Sequence, residues 1–251
     1  MKKTKVIIPA LGLLLLSTAA SVTGTVAWFA ANSTVTASGM KVTATSDNEF
    51  LQIADRTVNW NDDDPFTSVT INNASAASVK PTHVAASLAD GGASFTEYAG
   101  AASGFVWVET HSDDVADEVK GANAVYTDVT SSLEDYALLN ELKIRVKPGT
   151  ATSASDFRVT GVTFAAAGQT PTDGLLNSLR VLVVGADAGV VWKNGARVMG
   201  AADSIVDAEI NNTGANLDVY VYFDGEDENC FTNNALTPDT YSVTITFACG
   251  A

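Results

Sequence analysis

The sequence predicts an all-β fold, an antiparallel β-sandwich of jelly-roll type with short helices in its connections. Three features indicate this class: segments in which apolar and polar residues alternate, an Asn-Gly pair between two β-prone segments, and very little helical periodicity. The alternation is clearest in Leu217 to Phe223 and in Tyr241 to Phe247, where every second residue is apolar. This pattern is typical of strands that have one face on a core and the other towards solvent.

The remaining elements follow from local signals along the chain. Asn194-Gly195 predicts a type I′ hairpin turn, and Gly161 predicts a β-bulge because the alternation changes phase there. Two segments predict short helices, Asp113 to Val119 and Ser132 to Leu139, the second with Ser132 as its N-cap. The other predicted strands are Met40 to Ala44, Val69 to Ile71, Phe105 to Val108, Leu142 to Val146, Phe157 to Phe164, Leu179 to Val184, Val190 to Lys193 and Ala196 to Met199.

The composition indicates a folded and strongly acidic protein. Of 251 residues, 46% are hydrophobic and 17% are charged, which is typical of a globular chain rather than a disordered one. The balance of 14 Lys+Arg against 29 Asp+Glu gives a net charge of −15. We therefore exclude nucleic acid and anionic lipid surfaces as partners, since both would repel this chain. We predict that residues 46–251 form one sandwich domain. The alternative is two stacked β-domains that divide near Gly149.

The first residues predict export. A basic start is followed by the apolar run Val6 to Leu16 and then by small residues at Ser17 to Ser21. This order is typical of a secretory signal peptide, which we assign to residues 1–21. The alternative is an uncleaved membrane anchor or filament-core helix, because no charge lies between Lys5 and Lys41. The membrane would then be contacted through this segment alone, and the protein is expected to be secreted or held at the cell surface.

The segment after the signal peptide is unusually apolar for a mature N-terminus. Val22, Val26, Trp28, Phe29 and Val35 lie in a stretch without charge and with high β-propensity. Left exposed, such a strand would template edge-to-edge pairing. We therefore expect residues 22–45 to form an assembly region, whose strand either folds back onto its own sandwich or inserts into that of a neighbour.

Signatures of catalysis are missing from the sequence. It has no G-x-S-x-G, Walker A, G-x-G-x-x-G or H-E-x-x-H motif. Its two histidines, His83 and His111, have no nucleophile beside them in sequence, so we interpret both as solvent-facing or hydrogen-bonded side chains. The carboxylate pair of a glycosidase meets only in space and escapes this test. The chain is therefore predicted not to be an enzyme.

Two acidic loops and two cysteines complete the set of candidate ligands. Asp62 to Asp64 and Asp224 to Glu228 offer oxygen ligands for calcium, but neither has EF-hand spacing, and solvated acidic turns are the preferred interpretation. No cofactor is therefore expected, with calcium as the alternative. Cys230 and Cys249 lie near one end of an exported chain, which favours a disulfide between them. Such a bridge would stabilise the fold by about 3 kcal/mol.

Two stretches resemble the camelysin/TasA-type subunits of biofilm fibres. The first is the N-terminus, where the Lys-rich start, apolar run and small-residue zone lead to Ala27-Trp28-Phe29 and then to Val35-Thr36-Ala37-Ser38-Gly39-Met40. The second, Ile210 to Leu217, is similar to their pattern of a strand, an Asn-rich turn and a strand. The resemblance implies a jelly-roll subunit whose freed N-terminal strand completes the next subunit of a filament. The protease activity associated with camelysin is not carried over, because this sequence has no zinc-protease motif.

Three classes of function follow from these observations. The first is a self-polymerising subunit of an extracellular filament, such as a pilus or biofilm fibre, and it is our main expectation. The second is a secreted monomeric module that binds a glycan or another ligand, for which Trp60, Trp107 and Trp192 are candidate aromatic platforms. The third is a membrane-anchored, pilin-like subunit, although the apolar segment lacks the charged residue that type IV pilins carry.

Overall fold

The computed structural model describes residues 35–36, 41–46, 51–60, 68–72, 78–111, 125–166, 174–227, 229–230 and 241–249. Short 3-10 helices lie at Asp90–Gly92, Thr130–Asp135, Gly174–Ser178 and Ala202–Ser204. The strands are β1 (Val35–Thr36), β2 (Lys41–Ser46), β3 (Leu51–Asp55), β4 (Ser68–Asn72), β5 (Ser78–Val79), β6 (His83–Leu88), β7 (Phe95–Glu97), β8 (Val106–His111), β9 (Val125–Asp128), β10 (Ala137–Val146), β11 (Ser153–Ala166), β12 (Leu179–Val184), β13 (Gly189–Lys193), β14 (Ala196–Gly200), β15 (Ile205–Asn211), β16 (Ala215–Phe223) and β17 (Tyr241–Ala248).

These strands form an all-β sandwich, as predicted. A six-stranded sheet has the order β14-β13-β12-β16-β10-β3, and a five-stranded sheet has the order β15-β11-β17-β2-β4. A four-stranded sheet follows the order β7-β6-β8-β9, and β1 pairs with β5 alone. Within the described ranges, every ladder between strands is antiparallel except the one between β2 and β17.

The main core lies between the six-stranded and five-stranded sheets. The chain passes from one sheet to the other between β10 and β11, between β11 and β12, and again on either side of β15, so both sheets are built from sequence-distant segments. β10 and β11, which lie on either side of Gly149, both contribute side chains to this core. Fully buried side chains at the centre include Leu142, Ile144, Phe157, Val162, Val219, Val221, Ile245 and Phe247.

A third layer covers the other face of the six-stranded sheet. There the four-stranded sheet contributes Trp107, whose ring meets that of Tyr222 edge-on at 4.9 Å between centroids. Val84 and Tyr98 pack in the same cluster. The six-stranded sheet is thus covered on both faces over this area, and all six residues of β12 are buried. A continuous buried run is what a strand in such a position requires.

Local predictions have mixed outcomes. The hairpin at Asn194-Gly195 is confirmed, since these two residues join β13 to β14. The predicted type I′ turn is wrong, because that turn needs positive φ at both central residues and only Gly195, with φ 72°, has it. The bulge is also confirmed, because the register of β11 against β17 shifts between Val159 and Gly161. The helix predicted for Ser132 to Leu139 is wrong. A 3-10 helix occupies Thr130–Asp135, its N-cap is Val129, and β10 begins at Ala137.

The predicted helix does not form because part of its sequence belongs to β10, which pairs with β16. Ala137 to Ile144 form a continuous ladder with β16. That ladder outweighs the weak intrinsic stability of a helix only two turns long. The other predicted helix, Asp113 to Val119, lies outside the described residues. In the described parts of the chain, no helix has both the length and the apolar character needed to cross a membrane.

Candidate functional site

The predicted assembly segment is described only at its end. Val22, Val26, Trp28 and Phe29 lie outside the described residues, and Val35 lies in β1. There it pairs with Val79 of β5, in a ladder of two residues on each strand. So short a ladder contributes few hydrogen bonds.

The strand that follows is built into the sandwich. Lys41 to Ser46 of β2 lie between β17, to which they run parallel, and β4, to which they run antiparallel. The last part of the predicted assembly region, residues 41–45, therefore completes this chain's own five-stranded sheet. No hairpin joins β2 to either partner, because β3 lies in the other sheet and β17 follows almost two hundred residues later.

The two cysteines are not joined by a disulfide in the structure, although both pack against the main core. Cys230 follows β16, whose last residue Phe223 pairs with the first residue of β12. Cys249 follows Ala248, which pairs with Arg158. Arg158 also pairs with Ile205, the first residue of β15. The carbonyl of the next residue, Val206, accepts hydrogen bonds from the turn that follows β12. The Cys230–Cys249 disulfide therefore stays a prediction.

The three candidate aromatic platforms are occupied by the protein itself. Trp107 is 1% exposed and Trp192 is 9% exposed, so both belong to the interior. Trp60 is half-buried, and its ring carries the Lys143 ammonium at 4.8 Å and the Arg145 guanidinium at 4.5 Å from its centroid. Cation–π contacts of this kind cover the ring face that a sugar would stack on.

A buried cluster of ionisable groups joins the four-stranded sheet to the six-stranded sheet. His83, the first residue of β6, places its Nδ1 2.8 Å from Oδ1 of Asp224, just after β16. On the other side of Asp224, Oδ2 lies 3.4 Å from Nε of Arg180 in β12. The Arg180 guanidinium also donates to Asp227. We call these four residues the ionic cluster.

The backbone holds the ionic cluster in place. Thr82 donates its amide N–H to the Phe223 carbonyl at 2.9 Å and accepts from the Gly225 N–H at 3.0 Å. The Asp224 N–H donates to the Ser178 carbonyl at 2.9 Å. The Arg180 side chain is further fixed by donating to the Asn177 carbonyl at 2.7 Å. Side-chain positions in the cluster are therefore set by strand ends and tight turns.

The ionic cluster reaches solvent through one carboxylate. Nε2 of His83 lies 3.2 Å from Oε2 of Glu97 in β7, whose side chain is 68% exposed. Burial disfavours the imidazolium, but the hydrogen bonds and negative charges of Asp224 and Glu97 outweigh it and raise the pKa of His83. For Asp227, burial raises the pKa, yet hydrogen bonds from Asn229 and from Arg180 hold it below its usual value.

The second acidic loop is therefore not a solvated turn. Asp224 is 7% exposed, and it faces a guanidinium and an imidazole rather than solvent. The same contacts disfavour calcium at this loop, since positive groups already hold the carboxylates of Asp224 and Asp227. Among the described residues, no three His, Cys, Asp or Glu side chains are grouped to hold a metal ion. The other candidate loop, Asp62 to Asp64, lies outside the described residues.

A second pair of carboxylates pins the turn between β12 and β13 to β15. Oδ1 of Asp207 accepts the Ala186 N–H at 2.6 Å, and Oδ2 of Asp187 accepts the Ala208 N–H at 2.8 Å. Asp207 is buried, and its Oδ2 has no hydrogen-bond partner. Burial raises the pKa of Asp207 to about 6, and the nearby charge of Asp187 acts in the same direction.

The sequence carried little signal for these sites. His83 was correctly interpreted as a hydrogen-bonded residue, but its partners Asp224 and Arg180 are remote in the chain. The one available clue was Arg180 itself, a charged residue within the apolar run Leu179 to Val184. A charge in a buried strand requires a partner, although the sequence does not say which. No known protein-family model matches the chain, and no curated protein matches it as a relative.

Proposed function

We propose that this chain is a secreted structural subunit of an extracellular filament. In this proposal, subunits polymerise head to tail when the N-terminal segment Val22 to Val35 of one chain inserts as a strand into the sandwich of its neighbour. The role is structural rather than enzymatic, and the partner is a second copy of the same chain. In this proposal the filament lies outside the cell, as the signal peptide predicted for residues 1–21 implies.

The observation that carries the proposal is the setting of β2. This strand begins at Lys41, shortly after the segment Val22 to Val35, and ladders on both sides hold it between β17 and β4 without a hairpin to either. A strand held in this way owes its place to backbone pairing with its two neighbours, not to a short connection. The same kind of contact is available to a strand from another chain.

The preceding strand supports an exchange between chains. In the single chain, β1 pairs with β5 over two residues only. Few backbone hydrogen bonds are therefore lost when this part of the chain pairs with a neighbouring subunit instead. Burial of Trp28 and Phe29 in the neighbour would contribute about 4–6 kcal/mol, because aromatic side chains bury large apolar areas. Because this gain is not ionic, filaments are expected to persist at high salt.

The test is a double substitution in the assembly segment. Trp28→Asp with Phe29→Asp is expected to leave soluble monomers, as is deletion of residues 22–34. The matched control is Val58→Asp with Leu139→Asp, which adds the same charge at side chains that are 40% and 45% exposed on the sandwich. Electron microscopy and sedimentation velocity measure assembly, and far-ultraviolet circular dichroism verifies that all variants keep their β structure.

Each outcome separates the proposed function from its alternatives. If the segment variants form the same filaments as the parent chain, donated-strand assembly is wrong. If the parent chain is monomeric at every concentration and salt tested, the monomeric binding module is favoured instead. Mass spectrometry of the native N-terminus completes the test, because residues 1–21 retained in assembled material would favour a pilin-like helix core.

A further inference from the structure

The charges of the ionic cluster balance only in one protonation state. Asp224 and Asp227 bring two carboxylates with side chains 9% and 15% exposed, against one guanidinium, that of Arg180, which is 6% exposed. The fourth member, His83, is 5% exposed. With a neutral imidazole the cluster carries one net negative charge away from water, and with an imidazolium it is neutral. Unbalanced buried charge is costly, so the balanced state is favoured.

The cluster lies where two layers of the fold are joined. His83 belongs to β6 of the four-stranded sheet, whereas Asp224 follows β16 of the six-stranded sheet. We infer that His83 and Asp224 form a pH-sensitive clasp, which fastens the four-stranded sheet to the six-stranded sheet when His83 is protonated and loosens when it is neutral. This inference does not depend on filament assembly.

Groups from each neighbouring element act on the clasp. Glu97 in β7 favours the imidazolium, as does Asp224. Arg180 in β12 opposes it by neutralising Asp224, and Asp227 in turn neutralises Arg180. Two tyrosines nearby, Tyr222 in β16 and Tyr126 in β9, have raised pKa values because of burial and the surrounding carboxylates, so both stay neutral around pH 7. His83 is therefore the group in this set that changes charge near neutral pH.

The direction of the effect follows from linkage. The pKa of His83 is raised in the folded state, so the folded protein binds this proton more tightly than the unfolded chain does. The contribution to stability is complete below the unfolded-state pKa of about 6.5 and is lost as pH rises through the folded-state value. The apolar contacts between Trp107 and Tyr222 do not titrate near neutral pH, so they hold the layers together after the clasp loosens.

The test compares the two histidines of the chain. Hydrogen–deuterium exchange of the β6 and β8 segments is measured at pH 5.5 and 8.5 and corrected for the intrinsic pH dependence of exchange. In the parent chain and in His111→Gln, we expect protection to fall several-fold at the higher pH, because the proton that the folded state binds more tightly at His83 is lost there. In His83→Gln, which has no imidazole to protonate at this position, the fall in protection should be much smaller than in the parent chain, and what remains comes from other titrating groups such as Asp207.

Equal pH dependence in His83→Gln and in the parent chain would overturn the inference. Should His83→Gln fail to fold, the imidazole signals of the parent chain give the answer by NMR, with His111→Gln assigning the resonance of His83. A His83 imidazole that titrates above the usual value of about 6.5 supports the clasp, and one that titrates below it contradicts the clasp.

Discussion

The two faces of the six-stranded sheet are packed by different means. Towards the five-stranded sheet, the interface consists of aliphatic and aromatic side chains such as Val219, Ile245 and Phe247. Towards the four-stranded sheet, aromatic contacts such as that of Trp107 with Tyr222 adjoin the ionic cluster. One interface therefore depends on shape and apolar area, and the other depends also on charge. We expect the two to respond differently to pH, and the following experiments test that difference.

The largest effect is expected in the apolar interface. Phe247 is fully buried, and its ring stacks on Phe157 at 5.2 Å between centroids. Phe247→Ala should lower the free energy of unfolding by about 3–5 kcal/mol, because it removes apolar contacts and leaves a cavity. Urea denaturation at pH 6 and pH 8 measures it, and the loss should be the same at both. A loss that changes with pH would contradict a purely apolar interface.

The next effect concerns the polar interface. Arg180→Met keeps much of the side-chain volume but leaves Asp224 and Asp227 without their guanidinium. We expect a loss of about 3 kcal/mol in the free energy of unfolding at pH 8, as for other broken buried ion pairs. At pH 5.5 the loss should be smaller, because protonated His83 still faces Asp224. Equal losses at the two pH values would show that His83 does not compensate.

A buried carboxyl at the rim of the apolar interface gives a third test. The pKa of Asp207 is raised to about 6 in the folded state, so the folded protein binds this proton more tightly than the unfolded chain does. The resulting contribution to the free energy of unfolding is complete below pH 4 and is lost as pH rises through 6. Asp207→Asn keeps an acceptor for the Ala186 N–H and never carries charge. At pH 8 the variant should be more stable than the parent by about 2 kcal/mol, and at pH 4 nearly equal. Thermal unfolding across this range measures both, and a less stable variant at pH 8 would contradict the raised pKa.

The smallest effect is expected at an exposed ion pair. Arg56 contacts Glu141 at 2.6 Å and Asp218 at 2.5 Å, but the carboxylate side chains are 53% and 36% exposed. Glu141→Gln should change the free energy of unfolding by less than about 0.5 kcal/mol, since solvent and salt screen such pairs. This variant is the reference for the buried cluster. A loss as large as that of Arg180→Met would remove the contrast between buried and exposed charge.

Local periodicity was sufficient to predict much of the sandwich. Leu217 to Phe223 and Tyr241 to Phe247 match β16 and β17, because the apolar residues of each alternation lie on the main core. In β16 the opposite face is partly covered by the third layer, where Tyr222 is fully buried. Arg145 shows where this reasoning fails. It alternates with the apolar residues Ile144 and Val146 along β10, as a solvent-facing side chain would, yet it is 6% exposed, and its Nε donates to Gln52 at 2.8 Å.

The third layer was not predictable from the same signals. Its strands β6 to β9 are short and cover only part of the six-stranded sheet. The sequence feature that reflects this layer is the nearly continuous apolar run of β12, all of whose residues are buried. Such a run does not by itself indicate which elements cover the two faces of the strand. The ionic cluster escaped for a related reason. His83 and Asp224, for example, lie 141 residues apart in the chain. No local sequence pattern predicts a contact over such a separation.

The parallel pairing of β2 with β17 has a consequence for the order in which the molecule is made. β17 lies between β11 and β2, so β2 cannot be joined to the rest of its sheet until the last of the described strands is present. Loop closure over so long a separation slows folding, and chains rich in such contacts fold late and slowly. While a ribosome is still releasing this chain, β2 therefore has no completed sheet to join.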